Sequence, residues 1–135
     1  MTPPSTVFAS LLVAGGGALG AWLRFMTGRV WTAMIGPVAA SAFPWATLTA
    51  NALGSVAMGV LAGWLARHGS GGEHARLLLG VGVLGGYTTF SSFALEFALF
   101  VERGALGVAV LYVGVSLLAG FAGLFAGLYA MRAFA

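Results

Sequence analysis

The stretch "GVLGGYTTFSSF", residues 82–93, decides the fold. It lies inside an apolar run of membrane-spanning length, yet it places Gly85 and Gly86, then the adjacent threonines Thr88 and Thr89, then Ser91 and Ser92, where a helix would otherwise continue. Glycine and β-branched residues both have poor helix propensity, so the helix is expected to unwind here. Unwinding frees backbone carbonyls at membrane depth, and these cannot face lipid. Two readings follow. The carbonyls meet symmetry mates from a second copy and coordinate a cation such as Na⁺, or the break is a glycine hinge satisfied by the Thr88 or Thr89 hydroxyl.

Composition sets the environment of that break. The chain is 60% hydrophobic and only 7% charged, with a mean hydropathy of +1.00, far from the quarter-charged make-up of soluble domains. It reads as a membrane protein. Cysteine is absent, which excludes disulfides and thiolate metal sites. His68 and His74 flank a polar loop with no zinc-like spacing. Net charge is +3, but all the basic residues are scattered arginines without a cluster, so no nucleic-acid partner is expected. The N-terminus lacks a basic region before its apolar run and lacks a small-residue cleavage site, so the first helix is expected to stay. "GVGVLG", residues 80–85, matches a dinucleotide fingerprint, but that motif acts only between a strand and a helix of a soluble unit. Glu73, Glu96 and Glu102 form no pairing with the histidines that a hydrolytic site would need, so the chain is not read as an enzyme.

Polar punctuation divides residues 1–135, a single transmembrane domain, into four spans at about residues 7–26, 45–65, 77–100 and 105–131. Each is near the roughly 20 residues that cross about 30 Å of hydrocarbon. Glycines recur at helical spacing within the spans, as in Gly16 and Gly20, or Gly59 and Gly63, and such small faces let helices approach closely. With an even number of spans, Arg67, Arg76 and Arg132 fall on one side and Arg24, Arg29 and Arg103 on the other. This balance gives insertion almost no bias, so either both orientations occur or the weak bias is resolved by a partner or by unequal weighting of the charges. The polar residues inside the spans call for a covering partner, and the simplest is an inverted copy related by a two-fold axis in the membrane plane.

Thr47, Asn51 and Ser55 repeat every four residues, which makes a polar row on the second helix. Tyr112, Ser116 and the small Gly120 do the same on the fourth. Each row serves either as interhelical hydrogen-bond glue or as a track of donors for a dehydrating anion. After the break, Phe90, Phe93, Phe97 and Phe100 follow helical spacing. Most such aromatics pack, but Phe90 and Phe93 sit among hydroxyls, and the positive edge of a phenyl ring tolerates a small anion without gripping it.

Together these residues resemble the Fluc family of fluoride channels, through "GGALGAWLRF" at residues 16–25, "TLTANALG" at 47–54 and "GVLGGYTTFSSF" at 82–93. The resemblance implies an all-α subunit of four transmembrane helices with the third broken, paired as an antiparallel, dual-topology homodimer in the bacterial inner membrane. It implies two fluoride pores, passive export down the electrochemical gradient, and a central structural Na⁺ held by the main-chain carbonyls of Gly85 and Thr88. By matching positions, Phe90 and Phe93 would be the pore phenylalanines and Asn51 the pore-lining amide. Thr47, Glu96, Tyr112 and Ser116 would lie beside the ion path, with Arg24 near the vestibule. Two positions depart from the family: Ser92, where threonine is common, and Gly120, where some relatives carry a further serine. The rival readings are a small proton-coupled multidrug exporter, which needs an acid that the first span lacks, and a noncatalytic subunit of a membrane complex.

Overall fold

The computed structural model describes residues 4–133. Four helices are long and apolar enough to cross a membrane, and no strand occurs among the described residues. The chain is an all-α, multi-pass membrane protein.

Helix α1 spans Thr6–Ala42 and opens on Ser5, whose side chain accepts from Phe8 N at 3.3 Å. It runs straight through Met26, where the polar "TGR" reads in sequence as the end of a span. Nothing there stops a helix: Thr27 and Thr32 fold their hydroxyls back onto Leu23 O and Gly28 O, and the backbone breaks only at Gly36 (φ 80°), just before Pro37. A run from residue 6 to residue 35 covers about 45 Å, more than the roughly 30 Å of hydrocarbon. The excess is anchored on the second helix, where Trp31 stacks on Trp45 at 5.4 Å and donates its indole N–H to Thr49 Oγ1 at 3.0 Å.

Helix α2 spans Trp45–His68 and ends at Gly69 (φ 50°). A 3₁₀ turn, Gly69–Gly72, leads into α3, residues 73–87, whose central segment Arg76–Leu84 is π-helical. Two extended residues, Thr88 and Thr89, then separate α3 from α4, Phe90–Glu102. The third span is therefore broken. The turn into α5, Leu106–Ala133, is set by Gly104 (φ 71°). Its N–H bonds Val101 O at 3.0 Å while Ala105 N–H bonds Phe100 O at 2.9 Å. This 6→1 and 5→2 pair satisfies the last carbonyls of α4 and turns the chain straight back.

Glycine sets which helices meet. A Cβ on Gly16 or Gly20 would collide with the backbone of Leu78 or Val83, and one on Gly86 with Gly17. A Cβ on Gly59 or Gly127 would likewise strike the backbone of Leu124 or Val56. Contacts advance together along each pair, so α1 lies parallel to α3 and α2 parallel to α5. These are two backbone-close pairs, and the broken segment crosses between them.

Candidate functional site

Breaking a helix inside a membrane orphans peptide groups, and α2 supplies the replacement. The Asn51 carboxamide faces the extended Thr89 and makes two bonds with its main chain: Nδ2 donates to Thr89 O at 3.0 Å and Oδ1 accepts from Thr89 N at 2.8 Å. Gly54, one turn on, lets the Thr88 methyl approach where any side chain would clash. Thr88 Oγ1 donates to Leu84 O at 2.8 Å, ending α3. Thr89 Oγ1 accepts from Ser92 N at 3.2 Å, starting α4 as its N-cap. Arg24 on α1 donates a long 3.4 Å bond to Thr88 O. The threonine-hydroxyl reading of the break therefore describes part of it. The unwinding sits at Thr88 and Thr89, while Gly85 to Tyr87 stay helical. Gly85 is exposed, and its carbonyl accepts no hydrogen bond from the described residues.

A second constellation lies farther along α4. Glu96 has both carboxylate oxygens engaged, Oε1 by the Thr47 hydroxyl and Oε2 by the Tyr112 hydroxyl, each at 2.6 Å. Tyr112 is fully buried, packed against Phe93 at 5.1 Å between ring centroids and edge-on to Phe43. An acid with two short donor bonds in an apolar setting is an expensive and deliberate feature of a membrane span. On its far side a cavity of about 210 Å³ opens between Phe43, Glu96 and Arg103.

Between α2, α5 and the break lies a larger cavity of about 400 Å³. Asn51, Ser55, Phe90, Phe93, Ser116 and Gly120 are among its lining residues. Ser116 Oγ is buried without a hydrogen-bond partner, the one such side-chain atom among the described residues. Phe90 packs on Phe93 at 5.9 Å but is 80% exposed in the single chain.

The structure thus brings five of the sequence-expected residues, Asn51, Thr88, Phe90, Phe93 and Ser116, to one cavity. Thr47, Glu96 and Tyr112 are joined in an adjoining cluster, and Arg24 and Thr88 meet at the break. The row Thr47, Asn51, Ser55 is not one continuous ladder: Thr47 faces Glu96, Asn51 faces Thr89, and Ser55 bonds back to Asn51 O at 2.7 Å. Sequence reasoning overlooked Thr89 as a cap. A threonine directly before an apolar helical run was the available signal. The apolar wall of the cavity, Met58, Leu117, Phe121 and Leu124, carries no sequence signal that separates it from lipid-facing positions.

A family model described as CrcB-like protein, Camphor Resistance (CrcB), matches residues 11–128. A protein of Novosphingobium aromaticivorans named "Fluoride-specific ion channel FluC" is 60% identical over 92% of this chain and 96% of its own length. Relatives of the same name from Erythrobacter litoralis and Rhodospirillum centenum are 51% and 52% identical, over 98% and 90% of this chain and 97% and 94% of their own.

Asn51→Leu keeps the volume but leaves Thr89 N–H and C=O unpaired, each costing roughly 1–3 kcal/mol. The melting temperature of the purified protein in detergent should fall accordingly. An unchanged melting temperature would mean that the carboxamide is not what holds the break.

Proposed function

The chain belongs to the CrcB-like family, and from that premise we propose that it is a fluoride-selective channel of the bacterial plasma membrane, not an enzyme, which releases cytoplasmic fluoride passively. The observation that carries this reading is the cavity beside the broken helix, where a buried serine hydroxyl without a partner faces two phenylalanines and an asparagine. Ser116 Oγ is buried without a hydrogen bond, next to the Tyr112 hydroxyl, and Asn51 Nδ2 uses one of its two hydrogens on Thr89 O. Phenyl edges complete the surround. Such neutral donors replace part of the hydration shell of a small, strongly hydrated anion, and chloride, being larger, fits the same spacing poorly. Hydrofluoric acid crosses membranes neutral and dissociates inside, so a passive route outward suffices.

The working unit we infer is an inverted homodimer. Arginines balance across the two sides, and Phe90 and Gly85 lie exposed on one chain, ready to be covered by a second. A two-fold axis in the membrane plane repeats the cavity, which gives two pores. At the axis, the Gly85 and Thr88 carbonyls fit half of a Na⁺ site. Both are hard neutral oxygens, the first unengaged and the second held only by the long bond from Arg24. Bound there, the ion would cross-link the two breaks and neutralise their carbonyl dipoles.

Proteoliposomes holding the protein should release fluoride and retain chloride, and Phe90→Ile should slow release by about tenfold, one log unit of barrier. Equal chloride and fluoride rates, or no fluoride release, would sink the proposal. Because the chain has no native cysteine, a single Glu102→Cys can be labelled in intact cells with an impermeant maleimide. About half should react if copies insert both ways, and full or no labelling would exclude the inverted pair. Replacing Na⁺ by a large organic cation should lower the melting temperature of the dimer, whereas an identical melt in both buffers would count against the ion site.

A further inference from the structure

Along one face of α1 the contact with the third span changes character. At Gly16 and Gly20 the two backbones touch, and a Cβ on Gly20 would strike Val83 O and Tyr87 N. Arg24 and Thr27 follow Gly20 on that face at helical spacing, and there the contact becomes polar. Arg24 donates to Thr88 O at 3.4 Å, and Thr27 Oγ1 lies 3.1 Å from the Tyr87 hydroxyl. Tyr87 is the last residue of α3, so both contacts fall where that helix ends. With Asn51 on Thr89, the successive residues Tyr87, Thr88 and Thr89 are each held by a side chain of a neighbouring helix.

The hydrogens of the Tyr87 and Thr27 pair can be assigned. Thr27 Oγ1 gives its single hydrogen to Leu23 O at 3.0 Å, so it meets Tyr87 with lone pairs and the phenol is the donor. The two bonds run in series from Tyr87 through Thr27 to a helix carbonyl, an order in which each strengthens the other. The Tyr87 ring is also confined on its α2 side, 3.6 Å from where a Cβ of Gly54 would stand. Tyr87 thus bridges from α2 to α1 across the gap between the two backbone-close pairs. The Arg24 bond, at 3.4 Å, is long and fixes direction poorly, so Tyr87 is the firmer tie on the α1 side. All these contacts lie within one chain and do not depend on which face a second copy covers.

We propose that the Tyr87 and Thr27 hydroxyls form a latch that sets the angle at which the chain leaves α3, which makes Tyr87 a positioning residue for the Thr88 carbonyl and for Phe90 beyond it. Asn51 holds the far end of the break and the latch holds the near end. With one end free, the peptide between them would pivot. The inference rests on the fluoride-channel reading above and deepens it, since the latch acts on conduction through the backbone of the break and touches no ion itself.

Tyr87→Phe removes the hydroxyl, keeps the ring and leaves no donor unpaired, so it should fold and elute as the parent does. In proteoliposomes it should slow fluoride release by about fivefold, the factor that one interhelical hydrogen bond is worth. Thr27→Val should do the same, and the double variant should be no slower than either single one, because both remove one bond. Thr27→Ser keeps the acceptor and should stay within about twofold of the parent. Losses that add in the double variant, a Thr27→Ser as slow as Thr27→Val, or a Tyr87→Phe that conducts like the parent would each overturn the proposal. Amide hydrogen exchange gives a readout independent of transport: the Thr88 and Thr89 amides should exchange about fivefold faster in Tyr87→Phe and in Thr27→Val, with α5 unchanged. Unchanged exchange at the break, or exchange quickened equally in α5, would refute the latch. A parent that releases no fluoride would refute the channel reading instead, and exchange alone would then decide whether the latch exists.

Discussion

The pairing of the Asn51 carboxamide with the main chain of Thr89 is the interaction on which the rest depends. In hydrocarbon an unsatisfied peptide group costs several kcal/mol, so a helix can be interrupted only where something else takes over its bonds. One asparagine does this for both groups of one residue, mimicking the neighbour that a strand would have in a sheet. Its effect spreads along the chain. With Thr89 held extended (φ −153°, ψ 124°), its hydroxyl lies where it caps α4. The start of α4 is thereby fixed beside α2, and Phe90 and Phe93 fall on the wall of a cavity that Asn51 also lines.

Close backbone packing on either side makes that interruption possible. Glycines join α1 to α3 and α2 to α5 at distances no side chain would tolerate. The hydrophobic effect does not drive helices together inside lipid, so this intimacy, with its dispersion contacts, carries much of the assembly. The π-helical segment Arg76–Leu84 belongs to the same economy. Its wider turn, with Gly85 N–H reaching back to Gly80 O, re-phases α3 just before the break while Gly82 stays against Gly16. Two stiff pairs leave the less regular α4 to bridge them.

Much of this was legible because membrane physics is restrictive. Composition fixed the solvent, apolar length fixed four spans, and poor helix formers inside the third marked the break. The unwinding is confined to the last two residues of the expected GGYTT stretch, because glycine's low propensity is overridden when its missing Cβ is what packing requires, as at Gly86 against Gly17. The end of α1 was placed too early for a related reason. Thr27 and Arg29 are polar, but polarity ends a membrane span and not a helix, and only the Gly36–Pro37 step stops the backbone. Pairings across long sequence separations were not readable. Thr47, Glu96 and Tyr112 could each be singled out as polar residues in apolar helices, yet nothing in their spacing says that one carboxylate takes both hydroxyls. Periodicity also treated all small residues alike, whereas the structure separates glycines that packing within the chain demands, such as Gly59 and Gly127, from those with open space around them, such as Gly107 and Gly114.

The charges bear on how such a cavity could pass an anion. No arginine lines the larger cavity; Arg24 reaches the break at Thr88 O, and Arg103 borders the smaller cavity beside Glu96. A guanidinium in direct contact would hold an anion strongly, with Coulomb energies of about 4 kcal/mol at 4 Å even for an effective dielectric near 20. Held that firmly, an ion would leave slowly, and conduction requires binding weak enough for release. Neutral donors and phenyl edges each offer less. The acid of the adjoining cluster, Glu96, is held by two hydroxyl donors that disperse its charge. On the fluoride-channel reading proposed above, a cavity lined by neutral donors would bind an anion loosely on contact, which a cavity lined by charge could not do.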